Sequence, residues 1–305
     1  MTLLAATEAK RLNTSDADML ADDYFQATRF LGYQIMHNPS TQSPNKYPFI
    51  VLYTNDVPEI WLETLQADGA TLIFVPRLAI VETNAWLTGN NPRYARVYAK
   101  LHIWSMTHYD LIMFLDGDTI LQHPMDGAFD EAIATLSDTD LSSATNTSDN
   151  ESSLEISSLP PTYLFASISE AERPHTYPPT DSNGGFKIPG YFNAGFFLIK
   201  PNPVLLEYYH SIMSLPEPLY DPVYPEQNLL NYCHRQDGPM PAKWVGPTWN
   251  IRWPTDEDWQ AGVASAHEKW WRIRAPVMRE YVERQRAMME GFYLAMGRGR
   301  EGAFG

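Results

Sequence analysis

The segment Asp110 to Leu121, DLIMFLDGDTIL, places two carboxylates one residue apart, Asp116 and Asp118, directly after the apolar run Leu111 to Leu115. An uninterrupted apolar run of this length reads as a strand buried on both faces of a parallel sheet. Open α/β sheets bind ligands at the carboxyl ends of their strands, and two hard oxygen donors there point to a divalent cation. The same spacing recurs at Asp16/Asp18, Asp138/Asp140 and Asp256/Asp258. None of those pairs follows a buried strand, so each reads as a cap, a turn or a solvated acidic loop. For Asp116/Asp118 the bland alternative is a structural turn at a sheet edge.

Such a pair needs a sheet to hold it, and the order of elements predicts one. Thr2 to Ala6, Pro48 to Thr54 and Ala70 to Pro76 read as strands. Asp22 to His37 carries Tyr24, Ala27, Phe30, Leu31 and Ile35 at helical spacing. Val57 to Ala67 reads as a helix with Pro58 in its first turn, and Arg93 to Thr107 as the helix that leads into the aspartate strand. Alternating strands and helices predict a single α/β domain with a mostly parallel sheet. Regularity breaks from Ser137 to Pro161, where Ser, Asp and Thr dominate, and again from Glu170 to Gly190, which holds four prolines and a Gly-Gly pair. The range 137–190 is therefore expected to be an irregular, Ser/Pro-rich insertion. A core strand returns at Gly190 to Pro201, followed by a helix at Val204 to Met213. The main domain is expected to span 1–275, with a C-terminal helix and frayed tail over 276–305.

The chain has 305 residues, 44% hydrophobic and 19% charged, an ordinary soluble composition. A net charge of -15 argues against nucleic acid or an anionic membrane as the main partner, because phosphate backbones need basic stripes. The one cysteine, Cys233, excludes an internal disulfide framework and reads as a buried structural thiol in a reducing compartment. No apolar run approaches the roughly 20 residues that span a bilayer, and the start MTLLAATEAK is too short for a secretory leader. A cytoplasmic location is the expectation. If Thr2 to Ala6 is the first strand, the chain starts inside its own sheet, which suggests residues upstream of Met1. The sequons at Asn13, Asn146 and Asn150 matter only if such residues direct the chain to the secretory pathway.

A sugar-nucleotide transferase gives the aspartates a task, since a cation shared with a donor diphosphate neutralises charge as the nucleoside diphosphate leaves. The stretch YAKLHIWSMTHYDLIMFLDGDTIL resembles the central block of glycosyltransferase family 8, the retaining group that includes glycogenins and galactinol synthases. The resemblance extends from the first strand to about Trp271, outside the Ser-rich insertion and the C-terminal helix. It implies a GT-A type, Rossmann-like domain with the Asp-x-Asp motif at a strand end.

Residue by residue, the resemblance places Lys100, 16 residues before Asp116, on the donor. On sequence alone Lys100 reads equally well as a solvated lysine. The block YFNAGFFLIKP places Asn193 near the donor sugar and Gly195 where the backbone passes closely. EQNLLNY matches a segment that normally begins Asp-Gln, so Gln227 fits and Glu226 is a departure whose plain alternative is a capping box. AHEKWW stands where the family has a metal-completing histidine, a diphosphate lysine and a tryptophan. Here His267 and Lys269 are compressed to two residues apart and the family's glycine is missing. The implied donor contacts are Ala6, Thr7, Tyr24, Lys100, Asp116, Gly117, Asp118 and Lys269, and the implied metal ligands are Asp116, Asp118 and His267. Tyr24 would stack on uracil or else lie on its helix's apolar face.

The reaction implied is Mn2+-dependent transfer of a hexose from a UDP-sugar, with retention, to a carbohydrate, polyol or protein acceptor. Asn193, Gln227 and Glu226 would orient the sugar. Two rivals remain in view: a sugar-nucleotide-binding protein without catalysis, favoured by Glu226 and the compressed histidine block, and a phosphohydrolase of the haloacid dehalogenase type. The latter's threonine normally stands two residues after the second aspartate, whereas Thr119 stands one after Asp118.

Overall fold

The structure, a computed structural model, describes residues 1–4, 15–88, 94–142 and 159–297. The strands are β1 (Thr2–Leu4), β2 (Ile50–Tyr53), β3 (Thr71–Phe74), β4 (Ile112–Leu115), β5 (Thr119–Leu121), β6 (Ser137–Asp138), β7 (Thr162–Tyr163), β8 (Phe165–Ser169), β9 (Phe192–Ile199), β10 (Lys243–Trp244), β11 (Ile251–Arg252) and β12 (Ser265–His267). The helices are α1 (Asp16–Leu20), α2 (Asp23–Met36), α3 (Glu59–Asp68), α4 (Ala79–Thr83), α5 (Tyr94–Val97), α6 (Gly127–Ile133), α7 (Pro203–Met213), α8 (Pro225–Cys233), α9 (Asp256–Gln260) and α10 (Pro276–Ala295).

β1 to β3 pair in parallel. Met1 bonds to the Met113 carbonyl (2.6 Å) and the Leu115 amide (2.9 Å), which sets β1 parallel to β4. β4 then pairs antiparallel with β9, β9 antiparallel with β8, and β8 parallel with β10. The order is β3-β2-β1-β4-β9-β8-β10, with β9 alone reversed, so the sheet is mostly parallel as the sequence predicts. The ends of β4 and β8 and the start of β9 therefore meet at one edge.

Burial on β4 alternates between two cores, which explains its unbroken apolar sequence. Ile112 and Phe114 pack with Trp104, Phe165, Phe197 and Tyr209 on one face. Met113 and Leu115 pack with Phe25, Leu31, Val51 and Trp61 on the other. A smaller sheet places β5 antiparallel to β12 and β12 parallel to β11, with His267 opposite Thr119 and Arg252 opposite His267. α10 lays Met278, Val282, Met289 and Tyr293 against α2 and α9, and Asn38 donates to Gln285 across this seam (2.7 Å).

Several expectations are corrected. The single helix expected over Arg93 to Thr107 is a short α5 followed by a 3-10 segment, Tyr98–Ser105. Tyr98, Lys100, Leu101, Ile103 and Trp104 are all buried there, so tertiary packing rather than one amphipathic face sets the backbone. Pro58 is the N-cap of α3 rather than a first-turn residue. The range 137–190 is not irregular throughout, because Phe165–Ser169 is an inner strand of the main sheet. Five residues flanked by polar and proline-rich sequence give too short a period to stand out. The three other Asp-x-Asp pairs behave as caps and turns: Asp258 closes a capping box with Thr255, Asp18 bonds Ser15, and Asp140 bonds Ser142.

Cys233 is fully buried, and burial pushes its thiol well above the usual range. Beside it in the core, His234 accepts from the Tyr209 hydroxyl (2.7 Å) and donates to the Met240 carbonyl (2.8 Å). Burial lowers this imidazole to about 4. Its folded value lies below its unfolded value, so it contributes stability above about 6.5 that is lost as pH falls towards 4. The expected loss is about 3 kcal/mol. Urea unfolding at pH 7 and pH 4.5 should show it, and His234→Gln should flatten that slope; an unchanged slope would exclude the histidine as its source. Among the described residues no helix is long and apolar enough to cross a membrane.

Candidate functional site

The turn between β4 and β5 sets the two carboxylates. The Asp116 amide donates to the Gly195 carbonyl (2.9 Å), and the Thr119 amide donates to the Asp116 carbonyl (3.0 Å). Gly117 between them lies against α2, where a Cβ would stand 2.6 Å from Thr28 Oγ1. β12 delivers His267 from the other side, its Nε2 at 3.1 Å from Asp118 Oδ1 and 3.6 Å from Asp116 Oδ2. One ligand atom from each of the three lies within 4.8 Å of the others, an arrangement that could hold a metal ion. Two carboxylate oxygens and an imidazole nitrogen suit a divalent cation of the Mn2+ or Zn2+ kind. Gly195 makes this approach feasible, since a Cβ there would sit 2.2 Å from His267 Cε1.

Two lysines flank the cluster. Lys100, on the 3-10 segment, is buried and bonds Asp116 Oδ1 (3.4 Å), Glu226 Oε1 (2.8 Å) and the Ala194 carbonyl (3.2 Å). Lys269 stands 3.2 Å from Asp118 Oδ2. Burial by itself raises the Asp118 carboxyl, yet the adjoining His267 and Lys269 outweigh it and hold the group well below the ordinary carboxylate range. Burial likewise lowers both lysines, and their partners more than reverse it, Asp116 and Glu226 for Lys100 and Asp118 with Tyr24 for Lys269, raising each above its usual value.

At the start of β9, Asn193 Nδ2 and the Ala194 amide donate to Gln227 Oε1 (3.0 and 3.1 Å), and Gln227 Nε2 donates to the Tyr191 hydroxyl (2.7 Å). Asn193 Oδ1 accepts from the Gly195 amide (2.9 Å). Glu226 makes no capping box: α8 has no side-chain cap bond, and its carboxylate goes to Lys100. The structure therefore gathers Asp116, Asp118, Lys100, Asn193, Glu226, Gln227, His267 and Lys269 at one sheet edge.

Ala6 and Thr7 lie outside the described residues. Tyr24 is exposed at the start of α2 rather than packed on its apolar face, edge-on to Trp271 (5.0 Å) and under Lys269 (5.1 Å). These three, with Asp18, Asp22 and Arg272, line an open polar cleft of ≈ 720 Å³. An apolar cavity of ≈ 400 Å³ around Phe49, Leu111 and Met125 lies at the other end of β4. His102 is bonded to the Pro76 carbonyl and takes no part in the cluster. Sequence reasoning missed Tyr191, although it immediately precedes the Phe-Asn-Ala-Gly block whose amide network it completes.

No protein-family model matches the chain. The chain is 31% identical over 271 residues to the uncharacterized protein C5H10.12c of Schizosaccharomyces pombe, spanning 83% of this chain and 70% of that one. It is 28% identical over 187 residues to galactinol synthase 6 of Arabidopsis thaliana, spanning 61% of this chain and half of the synthase. Its fold is similar to that of the crystallised galactosyltransferase LgtC in complex with donor and acceptor sugar analogs, with a TM-score of 0.50 at 13% identity over 94% of this chain and 95% of that one. With a GT-A type fold, an Asp-x-Asp turn at the end of β4 and galactinol synthases among its relatives, the chain is similar to the glycosyltransferases of family 8.

Proposed function

We propose that the protein is a metal-dependent, retaining hexosyltransferase that takes its sugar from a uridine diphosphate donor. The observation that carries this reading is the meeting of Asp116, Asp118 and His267, from two distant parts of the chain, at the carboxyl edge of the sheet. Mn2+ is the cation proposed, and when bound it supplies positive charge for the departing diphosphate. Lys100 and Lys269 add fixed positive charge on either side. Tyr24 and Trp271 offer ring faces to the uracil. Asn193 and Gln227 orient the hexose, and Tyr191 holds the Gln227 amide in one rotamer. Glu226 is tied to Lys100 and presents no free nucleophile. The reading is therefore same-face displacement, in which a leaving phosphate oxygen takes the acceptor's proton as the new glycosidic bond forms. The transferase unit proposed is 1–275, with α10 as a C-terminal addition, and the acceptor is a carbohydrate, polyol or protein. A cytoplasmic setting is proposed from the single, buried thiol of Cys233.

UDP release from a panel of UDP-sugars, with and without Mn2+, tests the reading. Release should require the metal, and Asp118→Ala should lower it about 1,000-fold, a barrier change of about 4 kcal/mol. Metal-dependent donor binding without transfer or hydrolysis would favour a binding protein, and absence of donor binding would sink the assignment.

A further inference from the structure

Trp253, just after β11, is the one described residue with a bulky ring in the left-handed region, at φ 62. A large side chain there carries strain that the surroundings must hold. Two guanidinium groups do so: Arg252 lies 3.7 Å and Arg173 4.7 Å from the ring centroid. The indole nitrogen donates to Glu170 Oε1 (3.3 Å), which ties the ring to the end of β8. Arg252 Nη1 also donates to the His267 carbonyl (3.0 Å), so the assembly adjoins the strand that supplies His267. Neither guanidinium makes an ion pair with any described carboxylate, in a chain of 37 acidic and 22 basic residues. The buried Arg252 Nε has no hydrogen-bond partner among the described residues. Unneutralised, stacked arginines are poised for planar anions.

Their place in the sheet says which substrate they face. The nucleotide cleft with Tyr24 follows β1, on one side of β4. Glu170 and Arg173 follow β8, on the other side, beyond Asn193 of β9 and Tyr191 just before it. This is the half left for the acceptor.

We propose that Arg173 and Arg252, presented by Trp253, form an acceptor subsite for an anionic group, so that the preferred acceptor is a phosphorylated or carboxylated carbohydrate or polyol. The proposal rests on the transferase reading above. Its occupant differs from a donor diphosphate in being held by Arg173, which follows β8, and Arg252 of β11, whereas Lys269 stands against Asp118. Glu170 orients the indole and keeps the neutral, hydroxyl-bearing part of the acceptor turned towards Asn193.

The test compares glucose with glucose 6-phosphate and glucuronate, and myo-inositol with its 1-phosphate, as acceptors in a donor-saturated assay. The anionic member of each pair should have a KM about tenfold lower. Arg173→Ala, at an exposed position, should erase that preference, and Arg173→Lys should keep part of it; tenfold corresponds to about 1.4 kcal/mol, the scale of a charge-assisted contact. Neutral acceptors preferred by the wild type, or a preference that survives Arg173→Ala and Arg173→Glu, would overturn the subsite. A phosphate preference without a carboxylate preference would identify the phosphate as the recognised group and leave the subsite standing. If no UDP-sugar is turned over, the donor reading fails instead. Equilibrium binding of glucose 6-phosphate then reads the subsite separately: weaker binding by Arg173→Ala supports it, and equal binding overturns it.

Discussion

Replacing Gly195 by alanine is expected to lower metal-dependent UDP release at least 100-fold, although Gly195 bears no functional group. The added Cβ would stand 2.2 Å from His267 Cε1, 2.3 Å from Nδ1 and 2.8 Å from Asn193 Oδ1. No side chain tolerates such contacts, so either the imidazole swings away from Asp118 or β9 moves and takes Asn193 with it. Loss of a metal centre's supporting shell typically costs 10–100-fold in affinity or activity, and here a ligand itself is displaced. Overpacking should also destabilise the fold, by about 1–3 kcal/mol. The decisive comparison is with His267→Ala. If the glycine acts by making room for the histidine, the double variant should be little worse than His267→Ala alone, because two losses through one group do not add. Titration with Mn2+ gives the same comparison without turnover. Undiminished metal affinity in Gly195→Ala would remove His267 from the ligand set.

The second large effect concerns Lys100. Its ammonium is nearly buried between Asp116 and Glu226 and lies 4.7 Å from the Phe114 ring centroid. Lys100→Met keeps much of the stem's packing and removes the charge, leaving the Asp116 and Glu226 carboxylates without the cation they share. Breaking a buried pair in this way costs about 3–5 kcal/mol. Activity should fall at least 100-fold as well, through loss of the positive charge proposed for the diphosphate. Stability and chemistry are separable by adding Glu226→Gln. The double variant should recover most of the unfolding free energy, since the uncompensated carboxylate is gone, and none of the turnover. If turnover returns with stability, Lys100 is only a structural clamp. Urea denaturation and UDP release on the same preparations decide between these outcomes.

What the sequence shows depends on how locally each feature is written. The aspartate strand is legible because both its faces are buried, so hydrophobicity runs unbroken up to the two carboxylates. α2 and α7 are legible because their periods run for 14 and 11 residues. β8 escapes notice because five residues among Ser and Pro carry no period, although it is an inner strand. His267 was reachable only through the family resemblance: β12 is three residues long, and the pairing that sets His267 opposite Thr119 bridges about half the chain. Glu226 could be flagged as a departure, but its bond to Lys100 is a tertiary contact that no spacing rule reveals. Tyr191 lies just before β9 between Gly190 and Phe192, and Trp253 just after β11 between Arg252 and Pro254. What singles them out is an amide held in one orientation and a backbone angle, neither of which is encoded in residue type.

The pairing of β12 with β5 also orders the assembly in time. The seven-stranded sheet is complete once β10 has formed, at Trp244, while His267 and Lys269 lie downstream. A nascent or truncated chain that stops between these points carries every strand of that sheet and all of the core around Ile112 and Phe114, while the core on the other face also draws on Val245 and Ala264. It would hold two aspartates with neither the histidine nor the second lysine. The chemical centre is thus fastened by the closing stretch of the polypeptide, and an incomplete copy is silent even when its sheet is sound. Turnover reports on the integrity of the finished chain more strictly than spectroscopic measures of secondary structure do.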